Sequence, residues 1–194
     1  MKRGYTLVEV LVAVSIFVIF VSAPTGIFIS SLKGQKRALA QREIIDGSSY
    51  FSEYIGRFLR MAKKDLNGEC LNGLPKYNYS TSTAGIVGIR FVNYHYKCQE
   101  FYLTSEGRIY QRISSSTSSN DFPSTSSAPA LTPEDFIIST SSSKFLVFNA
   151  EQTDNLQPRV TIFLDAETKA QKPEARAKIK IQTTVSQRDL DVQE

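Results

Sequence analysis

Gly4-Tyr5-Thr6-Leu7-Val8-Glu9-Val10-Leu11 opens an apolar run in which one residue is out of place. Upstream stand two cations, Lys2 and Arg3; downstream, the 22 residues 10–31 carry no charge and are dominated by Val, Ile, Phe, Leu and Ala. As an α-helix that stretch measures about 33 Å, close to the hydrocarbon thickness of a bilayer. A carboxylate near the middle of lipid costs on the order of 3 kcal/mol or more when nothing pairs with it. Glu9 therefore needs a reason to stand in this run.

Two plain readings leave it without one. A cleavable secretory signal finds a basic n-region in Lys2 and Arg3 and a small-residue cleavage site in Val21-Ser22-Ala23. Glu9 interrupts the apolar core of such a signal, and the ring of Pro24 stands just after the cut, where it hinders a peptidase. An ordinary single-pass anchor accounts for the length of the run but leaves the acid unpaired.

The same residues resemble the N-terminus of type IV prepilins and of the pseudopilins of type II secretion. In that family a membrane peptidase cuts after the glycine on the cytoplasmic side and methylates the new N-terminus. The resemblance implies that Gly4 ends a four-residue leader, that Tyr5 becomes the methylated first residue, and that Glu9 is the acid used in subunit assembly. Tyr5 replaces the more usual phenylalanine and keeps an aromatic ring. In a fibre of packed N-terminal helices the Glu9 carboxylate meets the Tyr5 ammonium of a neighbour, which removes two unpaired charges from apolar surroundings together. Such a pair is better suited to fixing axial register than to adding stability. Pro24, with Gly26, lacks a backbone donor and marks an expected kink or local melting of the helix.

The expected organisation is a leader at 1–4, a transmembrane helix half at 5–32, an amphipathic helix half at 33–66 and a β-sheet domain at 67–194. Ile44, Ile45, Phe51, Tyr54, Ile55, Phe58, Leu59 and Ala62 recur at spacings of three and four, the stripe of an amphipathic helix, with Asn67-Gly68 as its stop. Strand-like segments follow at 86–96, 98–104, 108–113, 144–149, 159–165 and 177–185. In the last, Ala177, Ile179, Ile181, Thr183 and Val185 alternate with Lys178, Lys180, Gln182 and Thr184, so one face is buried and the other wet. The fold class expected is α+β: a long N-terminal helix packed on an antiparallel sheet, which is also the pilin-like arrangement. Residues 114–130, nearly all Ser, Thr and Pro, and the polar stretch 166–174 are expected as loops, the first a disordered linker.

Cys70 and Cys98 are the only cysteines; in an exported domain they are candidates for a disulfide, the alternative being two separate buried thiols. His95 is the only histidine and reads as a strand residue with its ring satisfied locally. With no CxxC, HExxH, GxSxG or glycine-rich phosphate loop, nothing singles out a catalytic residue, a metal site or a cofactor. Asn78-Tyr79-Ser80 has the form of a glycosylation sequon. The 23 basic and 19 acidic side chains leave +4, or +2 without Lys2 and Arg3, which is no nucleic-acid footprint.

Lys33, Lys36 and Arg37 beyond the apolar run match or exceed Lys2 and Arg3 before it, so charge alone does not orient the helix. The resemblance implies a cytoplasmic leader and an exported body, and the far cluster reads as a lipid-headgroup anchor. The function expected is that of a minor pilin-like or pseudopilin-like subunit, held in the cytoplasmic membrane and drawn into a pilus or pseudopilus. Its implied partners are the prepilin peptidase and methyltransferase and other pilin or pseudopilin subunits. Residues 156–162 and 181–185 resemble the J-type minor pseudopilins. The competing classes are a membrane-anchored binding protein or adhesin outside any fibre, and a membrane-anchored enzyme.

Overall fold

The computed structural model describes residues 4–82, 84–151, 156–169 and 176–188. Among the described residues one helix, α1 (Leu7–Arg60), runs for 54 residues and is followed by eight strands. The α+β architecture is the expected one. The first part of α1 touches nothing: large apolar side chains from Leu7 to Leu32 are between 40% and 76% exposed on every side of the helix. A helix apolar all round and bare all round is built for lipid or for other helices, not for water. From Ala40 onward the stripe takes over, and Ile44, Phe51, Ile55, Leu59 and Ala62 are buried. Ile45, expected in the same stripe, sits outside it and is exposed.

The sequence pattern leads to one sheet; the chain forms two. In the first, β1 (Ser80–Thr81), β2 (Val87–Val92), β3 (Cys98–Leu103) and β4 (Ile109–Ile113) pair antiparallel in chain order. In the second, β7 (Arg159–Thr168) is central: β8 (Lys178–Ser186) lies along one edge, and β6 (Lys144–Phe148) and β5 (Phe136–Ile138) share the other end to end. The helix stripe packs against both sheets in a single core that includes Ile89, Phe91, Phe101 and Ile109 from the first, and Phe136, Val160, Ile162 and Val185 from the second. Gly47 permits the closest approach, since a Cβ there would come within 2.9 Å of the Phe136 ring.

Several boundaries differ from expectation for tertiary reasons. The helix stops at Arg60, not near Asn67, because the next residues are taken by the sheet: the Lys63 amide donates to Val92 O at 2.7 Å and the Asp65 amide to Tyr77 O at 2.9 Å. The buried Asp65 carboxylate then accepts the amides of Gly68, Cys70 and Leu71, so Asn67-Gly68 belongs to a loop organised by Asp65. Residues 93–97 form the turn between β2 and β3, placing His95 in an exposed turn against the Tyr94 ring and not in a strand. Of the 166–174 connection, residues 166–168 continue β7.

Residues 114–130 are a loop but not a free linker. Two 3-10 turns (Ser119–Asp121 and Thr125–Ser127) fold them back on the outer face of the first sheet. Serine hydroxyls satisfy the local amides, with Ser116 Oγ accepting from Ser118 and Ser118 Oγ from Asn120. A composition too poor to build a core is thus held by short-range polar turns and by one apolar residue, Phe122. Asn78 is fully buried, which removes the sequon from reach of a glycosylating enzyme.

Candidate functional site

Gly4, Tyr5 and Thr6 precede the helix. Thr6 is the N-cap: its backbone is extended (φ −78°, ψ 152°) and its Oγ1 accepts the Glu9 amide at 3.3 Å. The spacing Thr6-x-x-Glu9 is that of a capping box, and a carboxylate in the first turn opposes the positive end of the helix dipole. Glu9 therefore has a local role as well as any role between subunits. Tyr5, 83% exposed, lies one residue outside the cap, so the helix end is already formed at the point where the expected scissile bond joins it.

Gly4 is instructive for what it does not do. Its backbone is outside the left-handed region that demands glycine, and a Cβ there would meet nothing within 4 Å. The fold makes no use of this glycine. A requirement for the smallest side chain at Gly4 has to come from outside the chain.

Pro24 lies 15 residues beyond Glu9, about 22 Å along the helix axis. The helix continues through it. The flanking carbonyls are served by side chains: Thr25 Oγ1 donates to Val21 O at 2.7 Å and Ser22 Oγ to Ile19 O at 3.0 Å. Sequence reading passed over a related feature, the small residues Ser22, Gly26, Ser30, Gly34 and Ala38 at intervals of four. A Cβ at Gly26 or Gly34 would meet open space, so these glycines also serve no contact within the chain.

The other predicted residues lie in the body. Cys70 and Cys98 are joined by a disulfide, with Cα atoms 5.4 Å apart, both fully buried in a small second core with Leu71 and Val92. Beside it lies a cluster that no linear motif announces. Arg90, Glu100 and Arg112 are cross-strand neighbours on β2, β3 and β4. Glu100 is fully buried; one of its oxygens accepts Arg90 Nε at 2.9 Å and Ser82 Oγ at 2.9 Å, and the other accepts Arg112 Nε. Arg90 also reaches Asn72 Oδ1 at 2.6 Å. Both guanidinium groups stack on Phe122, at 5.4 and 4.6 Å, which clamps the serine-rich loop over the sheet. Only the strand register brings these three together. Every oxygen of the carboxylate is engaged, so the cluster is built to hold shape and not to transfer a proton.

Among the described residues no group of three or more His, Cys, Asp and Glu gathers to hold a metal. An apolar hollow of about 150 Å³ lies between Gly47 and Phe51 on the helix and Phe136, Ile138, Leu164 and Ile179 on the second sheet. What distinguishes this chain is its N-terminal segment: a capped helix start, one acid, and an apolar shaft with no cover.

Residues 1–23 match the family model described as the prokaryotic N-terminal methylation motif. No curated protein and no solved structure matches the chain.

Proposed function

We propose that this chain, a pilin- or pseudopilin-type precursor by its methylation motif, is a minor structural subunit that is trimmed after Gly4, methylated at Tyr5 and assembled through its N-terminal helix into a type IV pilus or a type II secretion pseudopilus. The observation that carries this reading is the conjunction of the motif with a bare apolar shaft that starts at a capped, acid-bearing turn. Before assembly residues 5–32 lie in the cytoplasmic membrane, with the body on the far side from the leader. On assembly the shaft exchanges lipid for neighbouring helices. Glu9 then accepts the Tyr5 ammonium of an adjoining subunit, and the two charges compensate one another in apolar surroundings. The body, with two sheets and a clamped loop, is larger than a plain fibre building block needs, which favours a low-abundance position near a tip. The chain performs no bond chemistry of its own.

Mass analysis of the N-terminus of protein from its native host tests this. The expected result is loss of Met1 to Gly4 and a methylated amine on Tyr5; an intact Met1 in membrane-inserted protein would sink the proposal. Within a processed population, Glu9→Leu is expected to insert and mature normally yet to be missing from sheared or cross-linked fibres. Equal incorporation of parent and variant would show that the acid has no part in assembly.

A further inference from the structure

We propose that residues 189–194 of one copy of the chain add to the open edge of β8 in a second copy, setting Asp189 and Asp191 against Lys178 and Lys180, and Leu190 and Val192 beside Ile179 and Ile181. The outer edge of β4 is closed by the chain that follows it, since the Gln111 amide donates to Pro129 O and the Leu131 amide to Ile109 O. β8 is left differently. It runs for nine residues without a proline, and among the described residues β7 alone pairs with it. Such an edge is a template for another extended chain, with alternate side chains deciding which one.

The first half of β8 reads Lys178-Ile179-Lys180-Ile181, and the sequence 189–192, outside the described residues, reads Asp-Leu-Asp-Val. In an extended chain that period puts both acids on one face and both aliphatic residues on the other, so the two segments match whichever way the second one runs. Lys178 and Lys180 are 55% and 74% exposed and share a single carboxylate, Asp165, at 3.2 and 3.7 Å, with Glu167 opposite Lys178 in the register. An ammonium has three donors, so each can engage a further carboxylate. Residues 165–180 hold five basic and three acidic side chains, whereas 189–194 hold three acids and no base. On the other face Ile179 and Ile181 are half-buried, while Leu164 and Ala166 behind them on β7 are buried, so the apolar wall of the hollow that these four line is unfinished on its β8 side. Two aliphatic residues on an added strand continue that wall.

Reach decides between the same chain and another. The Arg188 amide is fastened to Arg60 O at the end of α1, and Lys180 lies eight residues before Arg188, about 26 Å along an extended strand. Asp191 is three residues past Arg188 and stays within about 11 Å of it. The segment therefore cannot lie alongside residues 178–181 of its own chain, and the match is made between copies. This contact joins bodies; it requires neither leader removal nor packing of the N-terminal helices in a fibre.

The test is energy transfer between donor- and acceptor-labelled populations of the full chain in detergent micelles, with the label on Ser126→Cys, an exposed position over the first sheet. One variant carries Asp189→Lys and Asp191→Lys, the other Lys178→Glu and Lys180→Glu. Association through the N-terminal helix is common to all, so differences between the proteins isolate the strand contact. Transfer is expected to fall several-fold in each variant alone and to return when the two are mixed, because each then offers the other an opposite charge. Transfer unchanged by the Asp189 and Asp191 reversal would overturn the proposal, since the segment would then lie elsewhere. So would two cooperatively folding variants whose mixture recovers nothing. If the lysine variant loses its urea transition, the peptide Asp-Leu-Asp-Val-Gln-Glu in excess replaces it: the peptide should reduce transfer in the parent where a scrambled peptide does not, and equal effects of the two would count as refutation. An intact Met1 in the native host would sink the fibre reading and leave this measurement standing.

Discussion

At the scale of single residues, Gly4 and Glu100 show two ways in which a side chain is constrained. Gly4 is constrained by nothing in the fold, so Gly4→Leu is expected to leave the unfolding transition of the body unchanged and to block removal of the leader, seen as retention of Met1 in the mature-size analysis. Ordinary processing of that variant would show that no outside agent reads the glycine. Glu100 is the opposite case, fully buried between Arg90 and Arg112 with each carboxylate oxygen occupied. Glu100→Gln keeps the shape but leaves two guanidinium groups facing one another without a counter-charge, one almost buried and the other 14% exposed. Stability is expected to fall by about 3 kcal/mol or more, read from the urea midpoint at unchanged slope. Replacing all three residues with Met, Leu and Met should recover most of that loss, because it is the uncompensated charge that destabilises and not the absence of an ion pair. The two residues were also unequally legible. Gly4 belongs to a contiguous string, the methylation motif matched over residues 1–23, so sequence alone displays it. Glu100 acquires its partners only when two hairpins fix the register, and nothing in the spacing of positions 90, 100 and 112 foretells that.

At the scale of the element, α1 is one helix with two environments, and its far end is fastened by remote groups. Tyr79 Oη donates to Leu59 O at 2.7 Å, the Arg188 amide to Arg60 O at 2.7 Å, and Gln187 Nε2 to Ala62 O at 2.7 Å. Carbonyls that a helix terminus leaves without partners are thereby satisfied from the residue just before β1 and from beyond β8. This explains why the stripe of apolar residues was readable while the stop was not: periodicity reports which face is buried, whereas the last turn is decided by which distant donors arrive. The strands β1 and β5, two and three residues long, escaped notice for the same reason, since they exist through their neighbours and not through their own pattern. Burial pushes the Tyr79 hydroxyl well above its ordinary value of 10.0. The neutral phenol is therefore favoured in the folded state, so its contribution is fully present below about pH 10 and is lost as pH rises from there through the folded value, at about 1.4 kcal/mol per pH unit. Tyr79→Phe is expected to cost about 1 kcal/mol at neutral pH through the lost hydrogen bond, and to make the alkaline decline of stability shallower. An unchanged decline would place that pH dependence on the buried Tyr102 and the half-buried Tyr54, whose hydroxyls burial also raises.

At the scale of the whole molecule, the helix, two sheets and the clamped loop hold together through two cores, and the disulfide belongs to the smaller one. The α+β class was legible because it follows from a change of period, 3.6 before residue 67 and 2 after it. The division into two sheets was not, since alternation marks strands and leaves their pairing open. The larger core, between α1 and both sheets, is apolar and extensive. The smaller one holds Cys70, Leu71, Val92 and Cys98 beneath Tyr77 and Phe122, and it ties the segment that leaves the helix to the first sheet. Because it contains so little apolar surface, its order depends on the covalent link more than the larger core does. The bridge joins residues 28 apart, for which chain-entropy reasoning gives about 3–4 kcal/mol of stabilisation. Replacing Cys70 and Cys98 together by Ser is expected to lower the unfolding free energy by that amount. It should also loosen the serine-rich loop before the body as a whole, because Ser114 and Ser116 accept the Cys98 amide. Amide hydrogen exchange on the double variant checks both parts. Faster exchange is expected first at residues 69–71 and 98 and in the 114–122 loop, with Ile55, Leu59, Val160 and Ile162 keeping protection up to the reduced global value. Uniform acceleration across both cores would mean that they unfold as a single unit and that the bridge stabilises the molecule without localising order in the smaller core.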